Sequence, residues 1–112
     1  MKKLKEDMLA PIEFDLGVAH RGELNESILR RFGTVVKFLL GRMFGNSTRP
    51  IRIRGTRREV DAFQQALGKE KKYMDAYLRY GLDNPQTLSN RHNLEAAIRS
   101  FERDTGLKWP LK

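Results

Sequence analysis

Nine apolar residues between Leu24 and Phe44 recur at helical spacing and gather on one side. Projected at about 100° per residue, Leu24, Ile28, Leu29, Phe32, Val35, Val36, Leu39, Leu40 and Met43 fill one arc of about 160°. An ordinary surface helix carries an apolar stripe nearer ~100° wide, so this one is expected at the centre of the fold. Asn25 or Ser27 can cap its start, and Gly45-Asn46 offers a left-handed stop. Phe38 is the exception, because it projects to the opposite side between Arg31 and Arg42.

Shorter signals flank this segment. Pro11 opens Ile12-Glu13-Phe14-Asp15-Leu16-Gly17-Val18, whose strict alternation predicts a half-buried strand, with Gly17 and Gly22 at its exit. Ile51-Arg52-Ile53-Arg54 alternates in the same way, with both isoleucines on one face and both arginines on the other. Gly55 turns the chain, and Thr56 with Glu59 forms a capping box for a helix carrying Val60, Phe63 and Leu67 inward and stopping at Gly68. A further helix runs from Lys69 to Tyr80 and is closed by Gly81. After the turn Leu82-Asp83-Asn84-Pro85, Ser89 or Asn90 caps a last helix that buries Leu94, Ala97, Ile98 and Phe101 and ends at Thr105-Gly106. Leu107, Trp109 and Leu111 form an apolar tail. The expected fold is therefore α+β and helix-rich. It reads as strand, helix, strand, then three helices, with a two-stranded sheet that a partner can complete, since two strands alone are marginal.

Length sets one domain over 1–112, with 1–10 as a mixed-charge lead and 107–112 as the tail. Cysteine is absent, so disulfides and thiolate metal sites are excluded and a reducing compartment fits. Met1-Lys2-Lys3-Leu4-Lys5 meets Glu6-Asp7 instead of an apolar run, which reads against export. No stretch approaches the ~20 apolar residues of a membrane span. The expected location is cytoplasmic. Net charge is +8 and uneven: residues 1–48 hold eight Lys and Arg against six Asp and Glu, whereas 49–112 hold fourteen against eight. Such a field attracts phosphate, anionic lipid or acidic protein.

Catalytic patterns are sparse. His20 and His92 are the only histidines, and neither stands in a metal-binding or triad-like spacing. No dinucleotide fingerprint, phosphate loop or nucleophile elbow is present. The expectation is a binding protein without enzymatic activity and without a cofactor. Three features carry that reading. The densest basic cluster is Arg49, Arg52, Arg54, Arg57 and Arg58, whose planar forks suit phosphate or carboxylate. The same charges also fit a solvated edge strand kept from aggregating. Tyr73, Tyr77 and Tyr80, spaced i, i+4, i+7, can stack bases or simply belong to the core. Phe38 with Arg31 and Arg42, together with Trp109 of the tail, can anchor a protein partner, or the N-terminal lead or the tail can cover Phe38.

The stretch Leu24-Asn25-Glu26-Ser27-Ile28-Leu29-Arg30-Arg31-Phe32-Gly33 with Arg42-Met43-Phe44-Gly45, and the stretch from Gly81-Leu82-Asp83-Asn84-Pro85 through Thr105-Gly106-Leu107-Lys108-Trp109-Pro110, resemble short uncharacterised proteins of tailed bacteriophages. The resemblance covers about half the chain and transfers no site residues. It implies a virion or assembly component, or a host-takeover factor, placed in the host cytoplasm or the virion. Three functions follow as expectations. The first is docking on a larger protein assembly or an acidic protein, with self-association included. The second is sequence-independent binding of DNA or RNA, and the third is inhibition of a host enzyme.

Overall fold

The computed structural model describes residues 11–45 and 50–111. Its elements are β1 (Ile12–Asp15), α1 (Glu26–Met43), β2 (Ile51–Arg54), α2 (Arg57–Tyr80) and α3 (Pro85–Thr105). The α+β, helix-rich class holds. The two strands pair in parallel, with Ile12 beside Ile51 and Phe14 beside Ile53, so α1 is the crossover of a βαβ unit. Beyond the ladder, Leu16 N–H donates to the Arg54 carbonyl at 2.8 Å. The strand ends at Asp15, earlier than the alternation predicts. There the Asp15 carboxylate accepts from Gly17 N–H at 2.8 Å and folds the chain into a turn. Burial still alternates past that point, since Phe14, Leu16 and Val18 all lie in the core.

Asn25 caps α1, its side-chain oxygen accepting from Ile28 N–H at 2.9 Å, and Gly45 follows the helix with φ of 80°. The apolar arc divides when it packs. Phe32, Val35, Val36 and Leu40 are buried, Ile28 and Leu39 pack partly on the core, and Leu24, Leu29 and Met43 remain exposed.

The second half departs from the expected three helices at one residue. Gly68 does not stop the chain. A single helix of 24 residues passes through it to Tyr80, so two helices rather than three follow β2. Glycine inside a helix costs only ~1 kcal/mol relative to alanine, less than the burial on both sides of this position returns. Phe63, Ala66 and Leu67 before it, and Glu70 and Ala76 after it, all lie on the buried face of α2. The capping box at its start is formed in both directions: Thr56 N–H donates to Glu59 at 2.8 Å, and Glu59 N–H to the Thr56 hydroxyl at 3.1 Å.

The start of α3 also differs from expectation. Asn84 caps it by accepting from Gln86 N–H at 2.9 Å, and Pro85 occupies the first turn, where its missing N–H is harmless. Asn90 lies a turn inside and donates to the Gln86 carbonyl. Gly81, with φ of 85°, closes α2 and leaves a tight connection, so the two helices run back along each other. The Thr87 hydroxyl donates to the Ala76 carbonyl at the turn end, and Arg58 meets Asp104 at the far end.

Five rings unite these elements. Phe32 of α1 has Phe14 of β1 at 5.0 Å, Phe63 of α2 at 5.8 Å, Phe101 of α3 at 5.7 Å and Trp109 of the tail at 6.3 Å between centroids. The tail folds back after Gly106, which adopts the left-handed conformation at φ of 76°. Trp109 N–H donates to Glu102 at 2.9 Å and so fixes the return.

Gly68 has no positive φ, and a methyl group added there would meet open space. Gly68→Ala is therefore expected to stabilise the protein by about 1 kcal/mol, raising its melting temperature by roughly 4–8 °C. A calorimetric scan checks this. A chain broken at Gly68 would respond with the opposite sign.

Candidate functional site

The structure divides the arginine cluster between two places. Arg49 lies outside the described residues. Arg52 and Arg54 point from the outer face of β2 and share one carboxylate, Glu13, at 3.3 and 3.2 Å. This follows from the register, which sets Glu13 directly beside Arg52. Arg31 joins them from α1 by donating to the Glu13 carbonyl at 3.0 Å. Three guanidinium groups thus converge on a strand residue, and the charge of that face is partly answered from within. Arg57 and Arg58 lie elsewhere, at the start of α2, facing Asp61 at 4.0 Å and Asp104 at 3.4 Å. They border a groove of about 900 Å³ between α2 and α3.

The expected interface around Phe38 is not assembled. Arg31 is committed to Glu13, Arg42 is exposed in the last turn of α1, and Phe38 is half-buried. Trp109 belongs to the core and not to a docking surface. It is 2% exposed, its ring stands edge-on to Phe101 at 5.4 Å, and its indole N–H donates to Glu70 at 2.9 Å. The physical reason is the left-handed turn at Gly106, which reverses the chain and lets the largest apolar ring fill the space beside Phe32 and Phe63.

The tyrosine stripe also divides. Tyr73 packs partly against the core, whereas Tyr77 and Tyr80 are exposed. Tyr80 lies under the guanidinium of Arg79, 6.0 Å from its ring centre. Tyr73 and Tyr77 line a recess of about 670 Å³ together with Met74, Leu78 and Phe44 from the end of α1. Leu78 is 75% exposed, and Leu82 in the following turn is exposed as well. Lys71 stands at the edge of this recess, its ammonium 5.1 Å from the Phe44 ring centre and 2.9 Å from Asp75. Leu78, Met74 and Phe44 were not singled out by sequence reasoning. The available signal was the repeated aromatic–aliphatic doublet, Tyr73-Met74 and Tyr77-Leu78, set one helical turn apart. Such a repeat makes a broad apolar face on the end of a helix that its neighbours do not fully cover.

Titratable groups are mostly engaged in structure. Glu59 closes the capping box, and its second oxygen is 3.7 Å from His20, whose ring also meets the Asp104 carbonyl at 2.9 Å. Among the described residues no group of His, Cys, Asp or Glu side chains converges to hold a metal ion, and no helix is long and apolar enough to cross a membrane. Comparison with known proteins found no match: no family model fits the chain, and no curated protein or solved structure is similar to it.

Glu70, like Glu59, is a buried carboxyl, 3% exposed and bonded to Trp109 of the tail. Burial pushes its pKa above the ordinary 4.5, against the opposing effect of the bond from Trp109. A raised carboxyl pKa means the fold prefers the protonated form. Its contribution is therefore most favourable below pH 4.5 and is lost as pH rises through the raised value. Glu70→Gln keeps an acceptor for the Trp109 indole and removes the ionisation. The variant is expected to melt above the unmodified protein at neutral pH, with the gap closing on acidification past pH 4.5. Melting curves recorded across that range check the sign.

Proposed function

We propose that this chain is a small binding protein, not an enzyme, that docks on a larger protein through the recess between the end of α1 and the second half of α2. The observation that carries this reading is the continuous apolar surface of Phe44, Met74, Tyr77 and Leu78, with Leu78 75% exposed. Large apolar residues scattered singly on a surface need no explanation, but a contiguous recess of them marks a contact site. Two walls, one from each helix, suit an amphipathic helix laid into the groove, and Met74 supplies an adaptable floor.

Charge selects among occupants. The chain carries +8, and Lys71 stands at the rim of the recess. A second copy would bring the same positive field to the contact, so self-association is opposed, whereas an acidic amphipathic segment is attracted. The partner is thus a larger protein presenting an apolar ridge flanked by carboxylates. The resemblance to short tailed-phage proteins supports a virion or assembly setting for that partner, inside the host cytoplasm or the particle. A host enzyme blocked by the same contact is the variant of this reading that the identity of the partner separates.

Replacing Leu78 with a photo-crosslinking amino acid in the native cell is expected to trap one larger protein. When that protein is purified, Leu78→Ser or Phe44→Ala in this chain should weaken its binding about 30-fold, the loss of a central anchor worth ~2 kcal/mol. Because Leu78 is largely exposed, its substitution should leave the melting temperature within about 2 °C. Crosslinks only between copies of this chain, or an affinity indifferent to both substitutions, would overturn the reading.

A further inference from the structure

The groove between α2 and α3 lies apart from the docking recess, at the opposite end of the helix pair, and its chemistry is different. Arg57, Arg58 and Lys69 border it from α2, and Arg103 from α3, against the carboxylates of Asp61 and Asp104. Small residues of both helices, Ala62, Ala97 and Ser100 among them, line it, and no aromatic ring does. The cations follow the length of the groove. Arg57 and Lys69 are twelve positions apart on one helix, a separation of roughly 18 Å at the helical rise.

One carboxylate organises one end of the groove. Asp104 is tucked between the helices with its side chain 10% exposed, and it holds Arg58 at 3.4 Å and Arg103 at 3.3 Å. The two guanidinium groups are thereby fixed side by side while both side chains remain largely exposed. A single carboxylate answers one of the two charges, so the pair retains a net positive charge. This is the arrangement that receives a phosphate between two forks. Lys69 adds a point charge further along.

We propose that this groove is a second binding site, independent of the docking recess, and that it takes the phosphate backbone of nucleic acid. A polyanion of regular spacing matches cations strung over such a length better than a lone carboxylate does. Without an aromatic side chain in the groove to stack a base, contact there is confined to phosphate and sugar and carries no sequence preference. The arginines of β2 lie on a different surface, around Glu13, and are not part of this groove.

Fluorescence anisotropy of the full chain with labelled oligo-thymidylate, with a mixed-sequence single strand and with a duplex tests the site at about 50 mM salt and above. The single strands are expected to bind alike, with an affinity that falls steeply as salt rises. The Arg58→Ala, Arg103→Ala double variant should weaken binding about tenfold or more and reduce the logarithmic salt slope for the single strands by roughly 1.4. The Arg52→Ala, Arg54→Ala pair should bind nearly as the unmodified chain. Leu78→Ser, which disables the docking recess, should also leave nucleic-acid binding intact, so the two readings fail separately. Absence of binding at low salt, binding that survives loss of Arg58 and Arg103, or competition by polyglutamate as effective as by DNA of equal charge would overturn the proposal. The last result would assign the groove to an acidic protein instead.

Discussion

The ring of Phe32 meets four other aromatic rings, drawn from β1, α2, α3 and the tail. Phe14 comes from the sheet, Phe63 and Phe101 from the helix pair, and Trp109 from the tail. The chain is small, and its two short parallel strands cannot sustain themselves. What joins the βαβ unit to the α2–α3 pair is this cluster, with the aliphatic residues Val35, Val36, Leu67 and Ile98 around it. Aromatic side chains suit the task because each buries a large area and tolerates tilted and edge-on approaches, both of which occur here. Strand, crossover helix and hairpin therefore depend on one another through a single junction, and the surfaces they carry are held in fixed relation.

That junction also dictates where polar groups must lie buried. Trp109 enters the cluster with an indole N–H that water cannot reach, and Glu70 accepts from it. The hydrogen bond satisfies the donor, but it places a carboxyl where ionisation is penalised by burial. Thr105 meets a similar demand locally, donating to the Phe101 carbonyl and accepting from Leu107 N–H where the chain leaves α3. The end of the chain is thus integrated by backbone and side-chain hydrogen bonds as well as by apolar contact.

With the core consumed in this way, two surfaces remain with unspent character. The apolar one lies where α2 extends beyond the reach of α1, so that Met74, Tyr77 and Leu78 have only Phe44 as a neighbour from that helix in their recess. The cationic one lies where α2 and α3 face each other across small residues, leaving room between them. A helix of 24 residues is longer than the sheet and crossover can cover.

The amino-acid pattern by itself determined the local elements whose causes are local. Alternation marked both strands, the caps Asn25 and Thr56 marked two helix starts, and Gly45, Gly81 and Gly106 marked three ends by adopting positive φ. The central helix was legible because its apolar arc is wide, and Phe32, Val35, Val36 and Leu40 of that arc are buried. Long-range packing decided the rest. Gly68 carries a weak local cost that burial along the whole of α2 outweighs, so no breaker rule could place it inside a helix. The tail read as an apolar end for a partner or as a cover for Phe38, yet Trp109 is buried against Phe32 and Phe101. The five arginines read as one cluster because they are neighbours in sequence. Strand register gave Arg52 and Arg54 to Glu13, and the hairpin gave Arg58 to Asp104, 46 positions further along the chain. Charge pairing over such separations is set by which elements come to lie side by side, and that is a property of the fold rather than of any segment within it.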